Sequence, residues 1–406
     1  MRAISVSLLS LGGLVATPAL ADPLVFTPLI DAQLRYEHVE QAPLTKDANA
    51  VTLRLRSGFE AKLSDFSFLA ESEANLAIDP SYNSGLNGKT AFPQVSDPQT
   101  IELNRLQLQY RGLQHTVVTV GRQVINLDDQ RFVGAAAWRQ NEQTYDAVRV
   151  EWSGIKNLKA DLTYANTVNT IYGIDGGNRF GPTRLGHIGG DNVFANLGYK
   201  TRFGTLTGFA YLVDQDQAPV FVESSQTYGG RFAGAYPLSK TVTLTYLASF
   251  ASQSDYHRNP NRYHADYYAG ELGVAVTALT LTGGYEVLGA DQGVAVTSFQ
   301  TPLAALHKFN GWADKFLVTP PNGLRDAYGS VSYGWKKVAG LDAIALSAAY
   351  HRFDSDRLGQ HYGNEVDAQV SVKQGRYTAL VKYADYRADR FATDTKKFWL
   401  SLNWVY

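Results

Sequence analysis

The 406-residue chain has no cysteine and one methionine. Without thiols there is no disulfide scaffold and no thiolate metal site, and such a chain crosses an oxidising compartment without mispairing. Long apolar runs are also missing: after the N-terminus nothing approaches the roughly 20 consecutive apolar residues that a membrane helix requires. Neither charge is in excess, since 37 Lys and Arg face 38 Asp and Glu for a net charge of -1. That balance removes the electrostatic case for a polyanion bound over the whole surface, so nucleic acid is excluded as a partner. Aromatics are plentiful instead, with 24 Tyr, 19 Phe and 6 Trp, and where they fall decides the class.

The first residues supply an address. Arg2 is a short positive region, Ile4 to Ala16 a brief apolar stretch, and Ala19-Leu20-Ala21 a small-x-small cleavage site. This is the pattern of a secretory signal peptide cleaved after Ala21. Residues 22–406 are then expected to form one domain. Asp22 to Thr27 leaves no room for an N-terminal plug before the first strand.

Period-two alternation dominates the rest of the chain. Val51, Leu53 and Leu55 alternate with Thr52, Arg54 and Arg56, and Val366, Ala368, Val370 and Val372 alternate with Asp367, Gln369, Ser371 and Lys373. Each such run reads as a strand with one apolar and one polar face. About 18 such segments fit between residue 28 and the end, an even number in the range of bacterial outer-membrane barrels. Connections alternate between short (63–65, 111–113, 153–157, 236–240, 337–340, 373–376) and long (79–98, 126–143, 170–190, 213–226, 252–263, 289–323). Short periplasmic turns and long extracellular loops are the expected arrangement of an all-β, antiparallel transmembrane barrel. Aromatics such as Tyr36, Tyr110, Trp152, Tyr164, Tyr199, Tyr246, Tyr333, Trp335, Tyr350 and Tyr383 fall near strand ends, at headgroup level. The last strand carries Phe398, Leu400, Leu402, Trp404 and Tyr406 on one face. Such an ending resembles the signature read by the barrel-assembly machinery, which is expected as a partner together with outer-membrane lipid.

Charges in mid-strand must face the lumen, because Lys or Arg facing lipid at the bilayer midplane costs roughly 2–4 kcal/mol. Arg54 and Arg56 on the second strand, Glu71 and Glu73 on the third, Arg105 on the fourth and Arg149 on the sixth are thereby assigned inward. Their order predicts either a cross-strand ion-pair ladder or a constriction that selects anions.

Residues 121–152 run from Gly121-Arg122-Gln123 through a loop carrying Asp128, Asp129, Arg131, Trp138 and Arg139 to a returning strand with Arg149 and Trp152. This segment resembles the alginate-export outer-membrane porin family. The resemblance implies an 18-stranded monomeric barrel, narrowed by inward-folded loops and lined by Arg with opposing acids, for passage of an anionic polyuronate. Carried over residue by residue, it points to Arg122, Asp129 and Arg149, with Arg105 beside them, and to Arg352 and Arg387 on late strands. The parity of Arg122 is ambiguous, since Val118 and Val120 share it. A second segment, Phe299 to Phe316, resembles a subgroup of that family without fixing alginate as its solute. Leu303, Leu306, Ala313 and Phe316 are too apolar for a solvated loop, so the segment is expected to fold in. It would serve as a constriction in which Lys308, Trp312 and Lys315 meet solute, or as a clamp that seals the barrel top.

No cofactor or metal is implied. The eight His show no consistent register with a Ser and an acid, so catalysis is not expected. The expected function is a passive outer-membrane channel for a hydrophilic, anionic small or oligomeric solute. A barrel hydrolase and a closed structural or adhesive barrel are the alternatives.

Overall fold

The computed structural model describes residues 23–406, so the expected leader and its cleavage site lie outside the described residues. Eighteen strands succeed one another: β1 (Val25–Gln41), β2 (Ala48–Leu63), β3 (Phe66–Ser81), β4 (Thr100–Tyr110), β5 (Thr116–Gln123) and β6 (Thr144–Trp152). Next come β7 (Leu158–Asn169), β8 (His187–Lys200), β9 (Thr205–Val213), β10 (Ser225–Pro237), β11 (Val242–Asp255) and β12 (His264–Val276). The last six are β13 (Leu279–Leu288), β14 (Leu324–Val338), β15 (Leu341–Asp354), β16 (His361–Gln374), β17 (Tyr377–Ala388) and β18 (Thr395–Val405). Each pairs antiparallel with its sequence neighbours. β1 also pairs with β18, from Asp31↔Val405 to Gln41↔Thr395, and this closes the barrel and leaves no open edge.

Loop lengths segregate as expected. At one rim the turns run from two residues (64–65) to five (111–115); at the other the loops run from six (42–47) to the long 289–323 segment. Three connections at the long-loop rim, 42–47, 355–360 and 389–394, are only one residue longer than the longest turn. Alternation puts Leu53, Leu55, Leu106, Val120, Val366 and Leu400 on the outer face, all well exposed to the lipid. On β17, Tyr377 and Tyr383 both point outward, and their separation of six residues is about 20 Å along the strand, close to the height of a lipid belt. On this strand the two tyrosines therefore bracket the apolar band.

The lumen is not empty. The 124–143 and 289–323 loops fold into it and build an apolar core against the inner wall, where Ile125, Val133, Phe299, Leu303 and Phe316 from the loops meet Tyr145, Phe194, Phe209, Tyr267 and Phe353 from the strands. Phe132 packs within 6 Å of Phe209, Tyr211, Tyr267 and Phe299. Each such side chain contributes about 1.5–3 kcal/mol when buried, enough to hold a loop against its own ordering entropy. The 289–323 loop contains one short helical turn, Leu306–Lys308.

Candidate functional site

Two networks of charge lie on the inner wall. The first is the ladder expected from β2, β3 and β4. Arg54 pairs with Asp31 at 2.5 Å, Arg56 with Glu73 and, at 3.3 Å, with Glu142 of the 124–143 loop, and Arg105 with Glu71 at 2.7 Å. Asn104, in a bulge of β4, donates to both Glu71 and Glu142. Arg149 is likewise held by Asp161 at 2.5 Å, and Asp129 by Arg231 at 3.0 Å. All six basic and acidic wall residues named from the sequence point inward, and each is already neutralised.

Three arginines depart from their expected place. Arg122 sits opposite Leu106, an outward residue, and pairs with Asp146 at 2.7 Å on the outer face. Arg352 and Arg387, both 58% exposed, alternate with buried Phe353 and Tyr386 and pair with Asp354 and Asp385. All three lie near the long-loop rim, beyond the apolar belt, where an outward charge meets headgroups rather than hydrocarbon and costs little. They do not line the lumen.

The second network locks the loops to the wall. Arg131 reaches from the 124–143 loop to Glu286 of β13 at 2.7 Å, and its other nitrogens donate to Thr301 and Asn310 of the 289–323 loop. Asn310 in turn donates to Glu286 and Asp326. Beyond Asn310 the backbone turns at Gly311 (φ +82°), and the N–H groups of Trp312 and Ala313 donate to Asp367 and Glu365 of β16 at 3.3 and 2.6 Å. Arg139 joins Asp314 at 2.7 Å, and Lys397 of β18 meets the same carboxylate at 2.7 Å. Burial opposes the charge of Asp314, but His307, Lys397 and Arg139 outweigh it and hold the carboxyl well below its ordinary range. Lys308 donates to the Asp129 carbonyl, and Lys315 to Gln41. Burial, with Lys397 nearby, pushes the Lys315 ammonium down to about 8.

At the centre of this network is a residue that alternation and resemblance leave unmarked. Lys382 lies mid-way along β17, faces inward and is 4% exposed. Its ammonium is 3.7 Å from the centre of the Trp312 ring, 4.0 Å from that of Trp138 and 5.5 Å from that of Trp399. His307 lies flat on Trp138 at 4.4 Å; its Nδ1 is 2.7 Å from Asp314 and its Nε2 2.7 Å from Lys382. A neutral imidazole satisfies both contacts, with Nδ1–H donating to the carboxylate and Nε2 accepting from the ammonium. Burial pushes His307 well below its ordinary value, and Asp314 offsets this only in part. The other buried cations, Arg35, Arg54, Arg131, Arg139 and Lys397, each have a carboxylate within 4 Å; among the described residues Lys382 has none.

Cavities lie on both sides of the loop partition. One of about 890 Å³ extends from the long loops down to Lys382 and Gln369 on the wall, bounded by Trp138, Trp312 and the Pro302 to Lys308 stretch. A second, of about 520 Å³, begins under Asn126 to Asp128 and runs past Arg149 and Asp161 to the turn at Ile155 to Asn157. Elsewhere, Ser252 lies 3.1 Å from His264 Nε2 on the outer face, but the Asp266 carboxylate faces that same nitrogen, so no acid orients the ring for general-base work.

No curated protein sequence matches the chain. Solved structures with the same architecture include the outer membrane protein OpdK of Pseudomonas aeruginosa, with a TM-score of 0.66 at 12% identity over 94% of this chain and 98% of that one. OpdQ of the same organism gives 0.69 at 12% over 94% and 97%, and OccAB3 of Acinetobacter baumannii 0.66 at 15% over 93% and 99%. At such identities the likeness is one of fold: a closed barrel of the outer-membrane porin type. Within it, residues 30–170 match the family model described as alginate export, so the resemblance carried by Gly121 to Trp152 stands on that part of the chain.

Proposed function

We propose that the chain is a passive outer-membrane channel for an organic anion. The observation that carries this reading is the loop partition at mid-height, with a cavity above it that reaches Lys382 and a second below it that reaches the short-turn rim. A solute entering from the long-loop side meets hydrogen-bond donors and cations at the waist, which favours anions as charged rings do in selective pores. Entry and exit need no chemical step and no cofactor.

The alginate export match supports a polyuronate as solute. The wall supports a smaller carboxylate: a polymer of charges needs a continuous run of free cations, whereas Arg54, Arg56, Arg105 and Arg149 are each engaged by an acid. Planar-bilayer recording of the purified barrel tests the reading. Expected is a stable conductance whose reversal potential in a KCl gradient shifts toward that of chloride. No conductance under any voltage sinks the channel; cation preference sinks the anion pathway and leaves the channel standing.

A further inference from the structure

The short-turn rim carries a charge that the rest of the chain does not. Within three residues of its eight turns lie eleven Lys and Arg against three acids, whereas the long loops at the other rim hold 12 bases and 14 acids. Three of the eleven are paired, Lys62 with Glu60, Lys159 with Glu151 and Lys337 with Asp342. The other eight have no carboxylate within 4 Å among the described residues, in contrast to the engaged arginines of the lumen.

Two of these free cations stand on adjoining hairpins, Arg202 in the turn after β8 and Lys240 in the turn after β10. The Arg202 guanidinium lies 4.4 Å from the centre of the Phe203 ring, which packs on Tyr236 at 6.0 Å, and the Tyr246 hydroxyl donates to the Phe203 carbonyl. Phe203 and Tyr236 are both exposed on the outer side. Cations set over exposed aromatics at a bilayer surface are placed for a lipid phosphate, with the rings touching the chain below it.

Deeper on the same face is a groove of about 530 Å³, where Gly230, Ala248 and Gly270 leave a hollow between Phe232, Phe250 and Tyr285. Phe232 is four residues from Tyr236, roughly 13 Å along β10. That is within reach of an acyl chain crossing half of a hydrocarbon core about 30 Å thick. Glycine in mid-strand weakens the strand, and it marks the close approach of another body where packing does not require it. Here packing does not: a Cβ on Gly208 or Gly270 would meet nothing within 4 Å, and one on Gly230 would meet its nearest atom at 3.7 Å.

We propose that this face binds one phospholipid of the periplasmic leaflet with a net-negative headgroup, its phosphate between Arg202 and Lys240 and an acyl chain in the groove of Gly230, Ala248 and Gly270. A second copy of the chain packed symmetrically here would set these cations against their own equivalents, whereas a phosphate diester neutralises them. The site is independent of what the lumen conducts.

Native mass spectrometry of the folded barrel in detergent, supplied with phosphatidylglycerol, phosphatidylcholine or glycerol phosphate, tests it. Expected is one lipid retained about tenfold better as phosphatidylglycerol than as phosphatidylcholine, with no glycerol phosphate retained. Arg202→Gln together with Lys240→Gln should bring phosphatidylglycerol down to the phosphatidylcholine level. Gly270→Leu, which fills the groove, should lower retention of both lipids about fivefold and leave their ratio unchanged. Ala248→Leu serves if Gly270→Leu loses heat-modifiable migration. Equal retention of the two lipids, or phosphatidylglycerol retention unaltered by these variants, overturns the proposal. So does glycerol phosphate bound as well as the lipid, which would reduce the site to a pair of rim cations. A dimer or trimer of the unaltered barrel that Gly270→Leu abolishes would give the groove to a second copy and overturn it too.

Discussion

At Gly311 the φ of +82° is one that side chains rarely adopt, and a Cβ there would come 2.5 Å from the Glu365 carboxylate that the loop is fastened to. Gly311→Ala is expected to cost about 1–3 kcal/mol through strain and displacement of the latch. It should be read as a lower thermal transition by circular dichroism together with a larger, noisier single-channel current. His307 makes the same partition sensitive to pH. Its folded value lies below its unfolded one, so the locked state binds fewer protons there, and its stability falls as pH drops below about 6.5, the ordinary histidine value. Protonation also sets a positive charge against Lys382 and Arg139, whereas Asp314 opposes the change. Current noise at pH 5 should therefore exceed that at pH 7.5, and His307→Gln should flatten the difference; noise independent of pH would disprove it. The inward residues of β2 to β4 were legible because alternation and the cost of charge in lipid leave them one place to go. Arg122, Arg352 and Arg387 were misplaced where that cost lapses, past the belt, even though the parity of Arg122 with Val118 and Val120 pointed outward.

Among the elements, the 124–143 loop depends on Arg131, which bonds β13 and the opposite loop at once. Removing one partner of a buried pair typically costs about 3–5 kcal/mol because the other charge is stranded. Arg131→Ala is expected to release the loop, raise conductance and open residues 126–143 to protease, and adding Glu286→Gln should recover part of the loss. An unchanged current and digest would show that the apolar core alone holds the loop. Strands and long loops could be read from period and spacing, since both are local. The three six-residue loops at the far rim were not separable from turns by length, and the seating of the 289–323 loop was legible only as an excess of apolar residues. Its anchors, Glu365, Asp367 and Asp326, come from strands whose register against a distant loop no local pattern encodes.

For the whole molecule, closure rests on β18, which joins β1 along eleven residue pairs, the register running from Asp31 to Gln41. The Tyr406 N–H adds a bond to the Ile30 carbonyl. Deleting residues 398–406 leaves β1 and β17 as facing open edges and is expected to abolish the heat-modifiable form. Tyr406→Ala, which removes one ring from the rim, is expected to lower the yield of inserted barrel only several-fold. Lys382 could in principle have been singled out, as a lysine in mid-strand whose register partners, Gln369 and Trp399, bring no acid. What no strand pattern could supply is its surroundings, since Trp138, Trp312 and His307 arrive on two loops. Because the 289–323 loop is gripped through its main chain at Trp312 and Ala313, the side chains of residues 302–306 take no part in that grip. Within it Leu303, Ala304 and Ala305 are buried and Leu303 fills the apolar core, so only Pro302 and Leu306 can be rewritten, by drift or by design, to suit a different solute without unseating the partition, and Glu365 and Asp367 have no such freedom.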